Sequence, residues 1–406
     1  MARTLMIIGA GAEQVPAYIL AKNRGLRVVG TDLNPNAPGF AYADYKILVS
    51  TRNANATASE ALKFCQSIAI NGVMTIANDV PYTVARVASV IGLPSISLDA
   101  AKCVTDKQLM KERFKEHGVP CPWFTKVDDA DALRNHVKTM SKKALVLKPV
   151  DGRGARGVLL VNDKTDLEWA LSESKRWGDC GRLILEEFIP GMQLSTESFI
   201  HKGKCFTAAI AERNYSRLEQ FAPNIIEDGG TIPALLNQDM KSKIDQLISR
   251  GAGALGIHEG IVKGDIVIND KGEPLIIELA ARLSGGWFAT HQIPAATGIN
   301  LVDAVISFSL GEKIDENLLL SSKDRATAIR YWFPPSGIIQ NIRGEENLKK
   351  TPGLISYGFF RKVGDVQPEI KMHPDRFGYV IVEGDNREEA ISRVNTALES
   401  VKIEVL

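Results

Sequence analysis

The chain has 406 residues, 45% of them hydrophobic and 24% charged, which is typical of a globular protein divided into two to four domains. Its 49 lysines and arginines nearly cancel its 48 aspartates and glutamates, so the charge balance favours neither nucleic acid nor a membrane surface as a partner. Five scattered cysteines without a C-x-x-C pair predict reduced thiols and no zinc site, and the first apolar stretch is too short for a signal peptide, so we expect a cytoplasmic protein.

The first hundred residues alternate strand and helix patterns. Apolar runs predict strands at 4–8, 27–31 and 72–76, and helical patterns lie at 15–23 and 80–91. This alternation is typical of a parallel, doubly wound sheet. We therefore predict a Rossmann-like α/β domain at the start of the chain.

A glycine turn after the first predicted strand resembles part of a dinucleotide-binding fingerprint. Gly9 and Gly11 have the spacing of its first two glycines, and Asp32 follows at about 20 residues, where an acidic residue binds ribose. Gln14 stands at the position of the third glycine, which allows the helix to pack closely on the strand in the complete fingerprint, so the motif is incomplete. We expect no NAD here, and an NAD-dependent oxidoreductase is a distant alternative.

The most informative stretch is an apolar run that ends in Lys148 and leads into a glycine-rich, cationic loop over residues 151–158. A helix capped by Thr105 or Asp106 is predicted before it, and a return strand over 157–161 is predicted after it. Glycines let backbone N–H groups approach phosphate oxygens, and a lysine adds a point charge. The loop is not a Walker loop, because a strand follows and no Gly-Lys-Ser/Thr is present. Alone, the pattern would also fit a surface hairpin with basic residues.

Two carboxylates are predicted to meet on a later hairpin. Strand patterns on either side of the turn 269–272 bring Asp265 and Glu278 close together when the register is counted back from the turn. Oxygen ligands at that spacing suit Mg²⁺ that bridges nucleotide phosphates. Glu278 also lies in an apolar strand, where an unpaired carboxylate is costly, so a ligand role is favoured there.

A polar turn follows this hairpin. Arg282 offers a planar donor fork for a phosphoryl or carboxylate oxygen, and the backbone after Ser284 offers N–H groups to an anion. Trp287 either walls a pocket or packs in the core. Further candidates for substrate contact follow another predicted strand: Arg213, Asn214 and Tyr215.

Taken in order, these motifs resemble the ATP-grasp family over nearly the whole chain. The resemblance implies an α/β (α+β) fold with a pre-ATP-grasp domain over 1–104, an ATP-grasp domain over 105–325 divided after residue 188, and a small C-terminal α+β subdomain over 326–406. It implies ATP binding by two lysines, the flexible loop and an interdomain hinge, namely Lys107, Lys148, Gly152, Arg153, Gly154, Gly157, Glu186, Glu187, Phe188, Ile189 and Gln193.

The same resemblance implies the remaining roles. Mg²⁺, as one or two ions with Mn²⁺ as an alternative, would bind Asp265 and Glu278, and Lys148 and Arg282 would be catalytic. The residues implied to contact substrate are Arg282, Ser284, Gly285, Gly286 and Trp287. The partners implied are small-molecule carboxylates and amines, without nucleic acid or membrane, and a homodimer is left open.

Two positions depart from the family pattern. Gln193 stands where many members have an acidic residue that binds the ribose hydroxyls, although an amide can also hydrogen-bond a hydroxyl. Ala280 stands where many members have a metal-binding asparagine two residues after the second acid. A second magnesium ion would therefore lose one oxygen ligand, and the number of ions stays open.

The resemblance implies an ATP-dependent carboxylate–amine ligase, closest to the amino-acid ligases and the purine-carboxylate branch. ATP would phosphorylate a carboxylate, and an amine would displace phosphate from the acyl phosphate to form an amide or peptide-type bond, with ADP and phosphate released. Two alternatives remain. One is an enzyme of the purine-pathway or carbamoyl-phosphate type that activates bicarbonate or formate. The other is an ATP-binding protein without catalysis.

Overall fold

The computed structural model describes residues 2–141 and 143–406. The chain begins with a parallel sheet of four strands that has helices on both faces, so the predicted Rossmann-like unit is confirmed. Successive residues of its first strand point to opposite faces, so that Leu5 and Ile7 pack in one core cluster and Met6 and Ile8 in another. The elements are β1 (Thr4–Ile8), α1 (Val15–Asn23), β2 (Arg27–Asp32), β3 (Tyr45–Leu48), α2 (Ala54–Cys65), β4 (Gly72–Met74) and α3 (Pro81–Ile91), and the sheet order is β3-β2-β1-β4.

The glycine turn after β1 is filled by the protein's own side chains. Gln14 donates a hydrogen bond from Nε2 to the Ile76 carbonyl at 2.8 Å, and a Cβ on Gly11 would lie 2.8 Å from the Gln14 Oε1 atom. Asp32 accepts the Ala10 N–H at 3.0 Å. These contacts use the space and the carboxylate that a dinucleotide would need, so the absence of NAD binding remains our prediction.

A small antiparallel sheet follows and carries the glycine-rich loop between two of its strands. Two helices cover one of its faces, where Leu133 and Ala170 pack against Leu147 and Leu185. The Asp106 carboxylate caps the helix that starts at Lys107, as predicted. The elements are α4 (Leu98–Thr105), α5 (Lys107–Glu116), β5 (Phe124–Val127), α6 (Ala130–Thr139), β6 (Leu145–Pro149), β7 (Leu159–Val161), α7 (Leu167–Arg176) and β8 (Leu183–Glu187), and the sheet order is β5-β8-β6-β7.

The rest of the chain is built on a large antiparallel sheet of eight strands. Its elements are β9 (Met192–His201), β10 (Lys204–Asn214), α8 (Leu218–Phe221), β11 (Gly229–Ile232), α9 (Gln238–Ala254), β12 (Gly260–Ile268), β13 (Pro274–Ala280), α10 (Ile293–Thr297), α11 (Leu301–Ser309), β14 (Ala326–Trp332), β15 (Gly337–Arg343), α12 (Glu345–Leu348), β16 (Leu354–Phe359), β17 (Val366–Gln367), β18 (Gly378–Gly384), α13 (Arg387–Ser400) and β19 (Lys402–Val405). The order is β13-β12-β9-β10-β11-β14-β18-β16, and β17, β15 and β19 form a further three-stranded sheet.

The large sheet crosses the domain boundary that we predicted at residue 326. Strand β14 begins there and pairs with β11 on one side and β18 on the other. Helix α11 contacts β4 of the first domain, and Leu301 shares a core cluster with Leu5. The segments on either side of residue 326 are therefore joined by strand pairing, and the first domain packs against α11. The predicted domain limits remain a prediction.

Two predicted strands are shorter in the structure. The return strand predicted from residue 157 begins at Leu159, because Gly157 has a φ of +65°, which lies outside the β region. The apolar run 183–189 likewise predicts a strand up to residue 189, but β8 ends at Glu187, the last residue that pairs with β6. Both differences fall where the chain turns toward the site described below.

Two whole-chain predictions can be compared with the structure. All five cysteines are free thiols, as their scattered spacing predicts. None of the helices in the described part of the chain is long and apolar enough to cross a membrane. The fold is therefore held by packing and hydrogen bonds, without disulfide cross-links.

Candidate active site

A cavity of about 1050 Å³ opens where the N-terminal domain, the small sheet and the large sheet meet. It is lined by all but one of the residues that the family resemblance assigned to ATP, metal or substrate. The residues of that set on its walls are Lys107, Lys148, Gly152, Arg153, Gly154, Glu186, Glu187, Phe188, Ile189, Gln193, Asp265, Glu278, Arg282, Ser284, Gly285, Gly286 and Trp287. Chain folding thus brings together motifs that are far apart in the sequence, since Lys107 and Trp287 are separated by 180 positions.

Gly157 is the exception. It is buried against α7, where a Cβ would lie 3.1 Å from the Ser174 backbone, and its carbonyl accepts a hydrogen bond from the Ser174 hydroxyl at 2.8 Å. With a φ of +65°, the position favours glycine for the turn of the chain. The structure therefore gives Gly157 a role in shaping the loop and places it away from the predicted phosphate contacts.

Lys148 lies near the end of β6 and is held by a buried carboxylate. Its Nζ atom is 2.9 Å from Glu186 Oε1 on the neighbouring strand β8, and Lys111 Nζ is 3.3 Å from the other oxygen of the same carboxylate. Burial would raise the pKa of Glu186, but the two lysines outweigh it and keep the pKa below its usual value. Glu186 is 2% exposed, so its side chain is better suited to fixing Lys148 than to contacting adenine.

Lys107 connects the loop to the hairpin. At the start of α5 its Nζ atom donates a hydrogen bond to the Gly152 carbonyl at 2.8 Å and lies 3.3 Å from Glu278 Oε1. The first predicted nucleotide lysine therefore touches both the predicted phosphate loop and a predicted metal ligand. This arrangement is expected if Lys107, the loop and Glu278 all face the phosphates of one nucleotide.

The glycine-rich loop lies over the cavity and contacts the C-terminal segment. Gly154 has a φ of +63° and Ala155 a φ of +58°, so two consecutive residues are left-handed. The Gly154 carbonyl accepts a hydrogen bond from the His373 N–H at 3.2 Å. The Arg153 guanidinium lies 3.2 Å from Asp179. These contacts hold the loop in place as one wall of the cavity.

The two predicted metal carboxylates are direct cross-strand partners. Asp265 on β12 pairs with Glu278 on β13, so the predicted proximity is found, but a β-bulge between Asp265 and Ile266 sets the pairing, because unbroken counting from the turn would place Asp265 opposite Ile277. Burial would raise the pKa of Asp265, but Lys263 and Arg213 outweigh it and lower the pKa to about 2. The Arg213 Nη1 atom lies 3.0 Å from the Asp265 carboxylate. Asp265 is therefore ionised over the whole physiological pH range.

The donor set fits Mg²⁺ that is held partly by phosphates. In the described part of the chain, no three His, Cys, Asp or Glu side chains are grouped as a protein-only metal site. Mg²⁺ is usually bound by one or two carboxylates together with substrate phosphates and water. Asp265 and Glu278 supply two such carboxylates on one wall of the cavity. Their cations, Lys263, Arg213 and Lys107, neutralise them in the ligand-free protein.

Arg282 is fixed by an aspartate from the N-terminal domain. Its Nε donates to Asp79 Oδ1 at 2.6 Å, and one Nη donates to the Leu283 carbonyl. Burial would lower the pKa of Arg282, but the Asp79 carboxylate outweighs it and raises the pKa. The guanidinium keeps donors for a ligand in the cavity, and its orientation depends on the N-terminal domain.

The hinge after β8 lines the cavity, but two of its backbone N–H groups are hydrogen-bonded within the protein. The Phe188 N–H donates to the Ala144 carbonyl and the Glu187 N–H to the Trp123 carbonyl, both at 2.9 Å. Gln193 donates from Nε2 to the Ile189 carbonyl at 3.1 Å. The Phe188 and Glu187 amides are therefore already used within the protein.

The turn after Arg282 is supported from below by a buried glutamate. The Ser284 N–H donates to both carboxylate oxygens of Glu197, at 3.3 and 3.1 Å. Burial raises the pKa of Glu197 to about 7, although the Ser284 hydrogen bonds and nearby Arg282 oppose this. Trp287 lines the cavity and also stacks on Tyr379 at a centroid distance of 3.6 Å. The two predicted roles of Trp287, in a pocket wall and in packing, are therefore both found.

Several cavity residues lie in segments that carry no motif. Of the three further candidates in the sequence analysis, Arg213 and Tyr215 line the cavity and Asn214 does not. Residues that the sequence analysis missed include Glu13, Asp79, Glu227, Tyr331, His373 and Arg376. They come from the N-terminal domain and from distant segments of the chain, so only the three-dimensional fold identifies them. The one available signal was the position of Asp79 shortly after a predicted strand, where parallel sheets bind ligands.

Family models match three successive parts of the chain. Residues 104–286 match the ATP-grasp domain, residues 5–88 match the PylC-like N-terminal domain, and residues 330–406 match the L-amino acid ligase C-terminal domain 2. The central match contains every predicted lysine, hinge and metal residue. The predicted resemblance to the ATP-grasp superfamily is thus confirmed.

Similar proteins of known function are ligases or related transferases. The chain is 24% identical over 294 residues to a phosphoribosylamine–glycine ligase of Methanothermobacter thermautotrophicus, covering 66% of this chain and 65% of that protein. It is 24% identical to an alanine–anticapsin ligase of Bacillus subtilis, covering 55% of this chain and 50% of that protein. The matched regions thus span about half to two thirds of these relatives, and the activity of this chain is argued separately.

Solved structures share the whole fold. An L-amino acid ligase from Bacillus licheniformis has a TM-score of 0.84 at 20% identity, with 100% of this chain and 99% of that chain covered. A phosphoribosylglycinamide synthetase from Anaerococcus prevotii has a TM-score of 0.75 at 21% identity, with both chains fully covered. At this identity, the likeness establishes the fold.

Proposed function

We propose that this chain, whose residues 104–286 match the ATP-grasp domain, is an ADP-forming ligase that joins a small carboxylic acid to an amine through an acyl phosphate. The observation that carries this proposal is the convergence of three groups in one cavity. Lys107 and Lys148 lie on the loop side, the Asp265 and Glu278 pair lies on the hairpin, and Arg282 lies beside the glycine turn. Phosphoryl transfer needs positioned positive charge, which this arrangement offers.

The proposed first step is transfer of the terminal phosphoryl group of ATP to the substrate carboxylate. Lys148 and Lys107 would hold phosphate oxygens, with Lys148 kept in place by Glu186. Asp265 and Glu278 would hold Mg²⁺, which supplies charge neutralisation to the phosphates when bound. Arg282, oriented by Asp79, would bind the oxygens of the carboxylate or of the transferred group.

The proposed second step is attack of an amine on the acyl phosphate. The carbonyl oxygen becomes negative in the tetrahedral intermediate, and the Arg282 guanidinium would stabilise it. The glycine-rich loop covers the phosphates and would limit hydrolysis of the acyl phosphate by water. ADP and phosphate then leave with the amide.

Amino acids are the first substrates to test. The match of residues 330–406 to the L-amino acid ligase C-terminal domain 2 supports this class, because β14 and β18 from that region belong to the same large sheet as the Asp265–Glu278 hairpin. Tyr331 and Arg376, which line the cavity, also come from it. The proposal thus covers amide or peptide-type bond formation, with the two substrates still to be identified.

The test is ADP release from Mg-ATP in the presence of pooled carboxylates and amines, with mass spectrometry of the products. The proposal predicts ADP and phosphate release that needs both a carboxylate and an amine, together with a new amide. A Lys148→Ala variant should lose this release, and a Lys164→Ala variant, changed at an exposed lysine, should keep it. Release of AMP, or no substrate-dependent release from the folded protein with any pool, would refute the proposal.

A further inference from the structure

Glu13 carries a carboxylate from the N-terminal domain into the cavity, beside the turn assigned to substrate. Glu13 lies in the short turn between β1 and α1. Its Oε2 atom accepts a hydrogen bond from the Gly286 N–H at 2.5 Å. A Cβ on Gly285 would lie only 2.6 Å from the same oxygen, so the close approach needs glycine at that position. Glu13 therefore lines the cavity directly beside the turn that is assigned to substrate contact.

Glu13 differs from the other carboxylates of the cavity in its partners. Among the residues that the structure describes, no lysine, arginine or histidine lies within 4.0 Å of its carboxylate. The other pairs are Asp79 with Arg282, Glu186 with Lys148, Glu227 with Arg213, Asp265 with Lys263, and Glu278 with Lys107. A carboxylate withdrawn from water without a counter-ion is a site for a cationic group of a ligand.

The surroundings of Glu13 also suit proton transfer. Burial raises the pKa of its carboxyl group, while the Gly286 N–H, Arg282 and Arg376 oppose that rise. A carboxylate with a raised pKa takes a proton more readily at neutral pH. Tyr331 and Tyr379 face it as well, and burial is the main cause that raises the pKa of both phenols, so they remain neutral.

We propose that Glu13 binds the ammonium group of the amine substrate and accepts the proton that this group must lose before it attacks. The inference rests on the proposed function. One proton passes from the R–NH₃⁺ group to the Glu13 carboxylate, and the freed lone pair forms the C–N bond to the acyl carbon. The C–O bond to phosphate then breaks, and the leaving phosphate takes the second proton from nitrogen. A general base of this kind contributes about 100-fold or more to the rate.

The test compares two nucleophiles in the Glu13→Gln variant. Glutamine keeps an oxygen that can accept the Gly286 N–H, but it cannot take a proton. Hydroxylamine is largely uncharged at neutral pH, so it attacks an acyl phosphate without first losing a proton. The assay contains Mg-ATP and the twenty L-amino acids, with or without hydroxylamine. The control is Glu60→Gln, at an exposed position of α2.

The expected result is a split between the two products. Glu13→Gln should form hydroxamate at a rate within about threefold of the unchanged protein, and should form the amide about 100-fold more slowly at pH 7. Its amide formation should recover as the pH rises toward 9.5, because the free amine becomes abundant. Glu13→Asp, which keeps a carboxylate, should retain the pH profile of the unchanged protein at a lower rate.

Three outcomes would overturn the proposal, each for a different reason. Undiminished amide formation by Glu13→Gln would show that the carboxylate is not needed. Equal loss of hydroxamate and amide would show that Glu13 acts only by holding the Gly286 turn. No hydroxamate from the unchanged protein would refute the proposed function itself, and this inference would fall with it.

Discussion

Lys111 is a lysine with no exposure to solvent, and its contacts explain how the protein keeps it. Its Nζ atom lies 3.3 Å from Glu186 and 3.4 Å from the Ile276 carbonyl. Burial lowers the pKa of Lys111 and the Glu186 carboxylate opposes that effect. The same carboxylate holds Lys148, so one buried glutamate orders a lysine that lines the cavity and a second lysine buried outside it.

The first prediction concerns the charge on Lys148. Lys148→Ala should lower kcat/KM for ATP by about 100-fold, because one positive charge that faces the phosphates is lost. The fold should remain, since Lys111 still pairs with Glu186. Steady-state ADP release and the far-ultraviolet spectrum measure the two effects. A folded variant with near-native ADP release would contradict the assignment of Lys148.

The second prediction concerns the metal carboxylate Glu278. Glu278→Gln should lower kcat by about 100-fold and change the Kd for nucleotide by less than about threefold, since the ion acts mainly on charge that develops in transfer. Glu273→Gln, at the exposed end of the same hairpin, is the matched control and should leave both values unchanged. Isothermal titration with ADP and single-turnover kinetics separate the two quantities. A loss of affinity equal to the loss of turnover would contradict the metal role.

Glycine-rich segments show what sequence can predict at the scale of elements and what it cannot. The pattern around Gly154 predicted a flexible turn, and the structure places that residue on the cavity wall. Gly157, three residues later, has the same residue type but packs against α7. The difference is set by the helix that folds back on the loop, and no local pattern encodes that contact. The proximity of Asp265 and Glu278, in contrast, followed from the turn because strand pairing has a fixed period, although their direct pairing depends on a β-bulge that the sequence pattern did not reveal.

The third prediction separates the two effects of a substitution at Gly154. Gly154→Ala places a Cβ on a residue with a φ of +63°, which costs about 1 kcal/mol, and it hinders approach of the backbone to phosphate. The KM for ATP should rise at least about fivefold, since loop closure depends on this geometry. Gly92→Ala is the control, because that residue has a φ of +79° at the end of α3 with nothing within 4 Å of the added Cβ. Equal KM values for the two variants would contradict a phosphate role for the loop.

At the scale of the whole molecule, the cavity depends on contacts between distant parts of the chain. Asp79 orients Arg282 across 203 residues of sequence, and Arg376 donates a hydrogen bond to the Glu227 carbonyl. Sequence patterns predicted the residues that belong to motifs, and the α/β unit, because both are local. They missed Asp79, Glu227 and Arg376, since such residues are recognised only by what they meet after folding.

The fourth prediction links a buried residue of the site to the stability of the whole chain. Glu197 has a pKa of about 7 when folded against an ordinary value of 4.5, so the folded protein binds more protons than the unfolded chain between these values. Its contribution to stability is therefore lost as the pH rises from about 4.5 to about 7. The thermal midpoint of Glu197→Gln, relative to that of the unchanged protein, should accordingly increase from pH 5 to pH 8. A pH-independent difference would contradict the raised pKa.

The acyl phosphate is the central claim of the mechanism, and oxygen-18 tests it most directly. Once the carboxylate substrate is identified, its carboxyl oxygens are labelled and the reaction is run with Mg-ATP and the amine. Transfer through an acyl phosphate moves one labelled oxygen into inorganic phosphate, with unlabelled ADP as the other product, and ³¹P spectroscopy detects the shift. Label in AMP would mean adenylation of the carboxylate, and it would contradict the mechanism proposed for Lys148, Glu278 and Arg282.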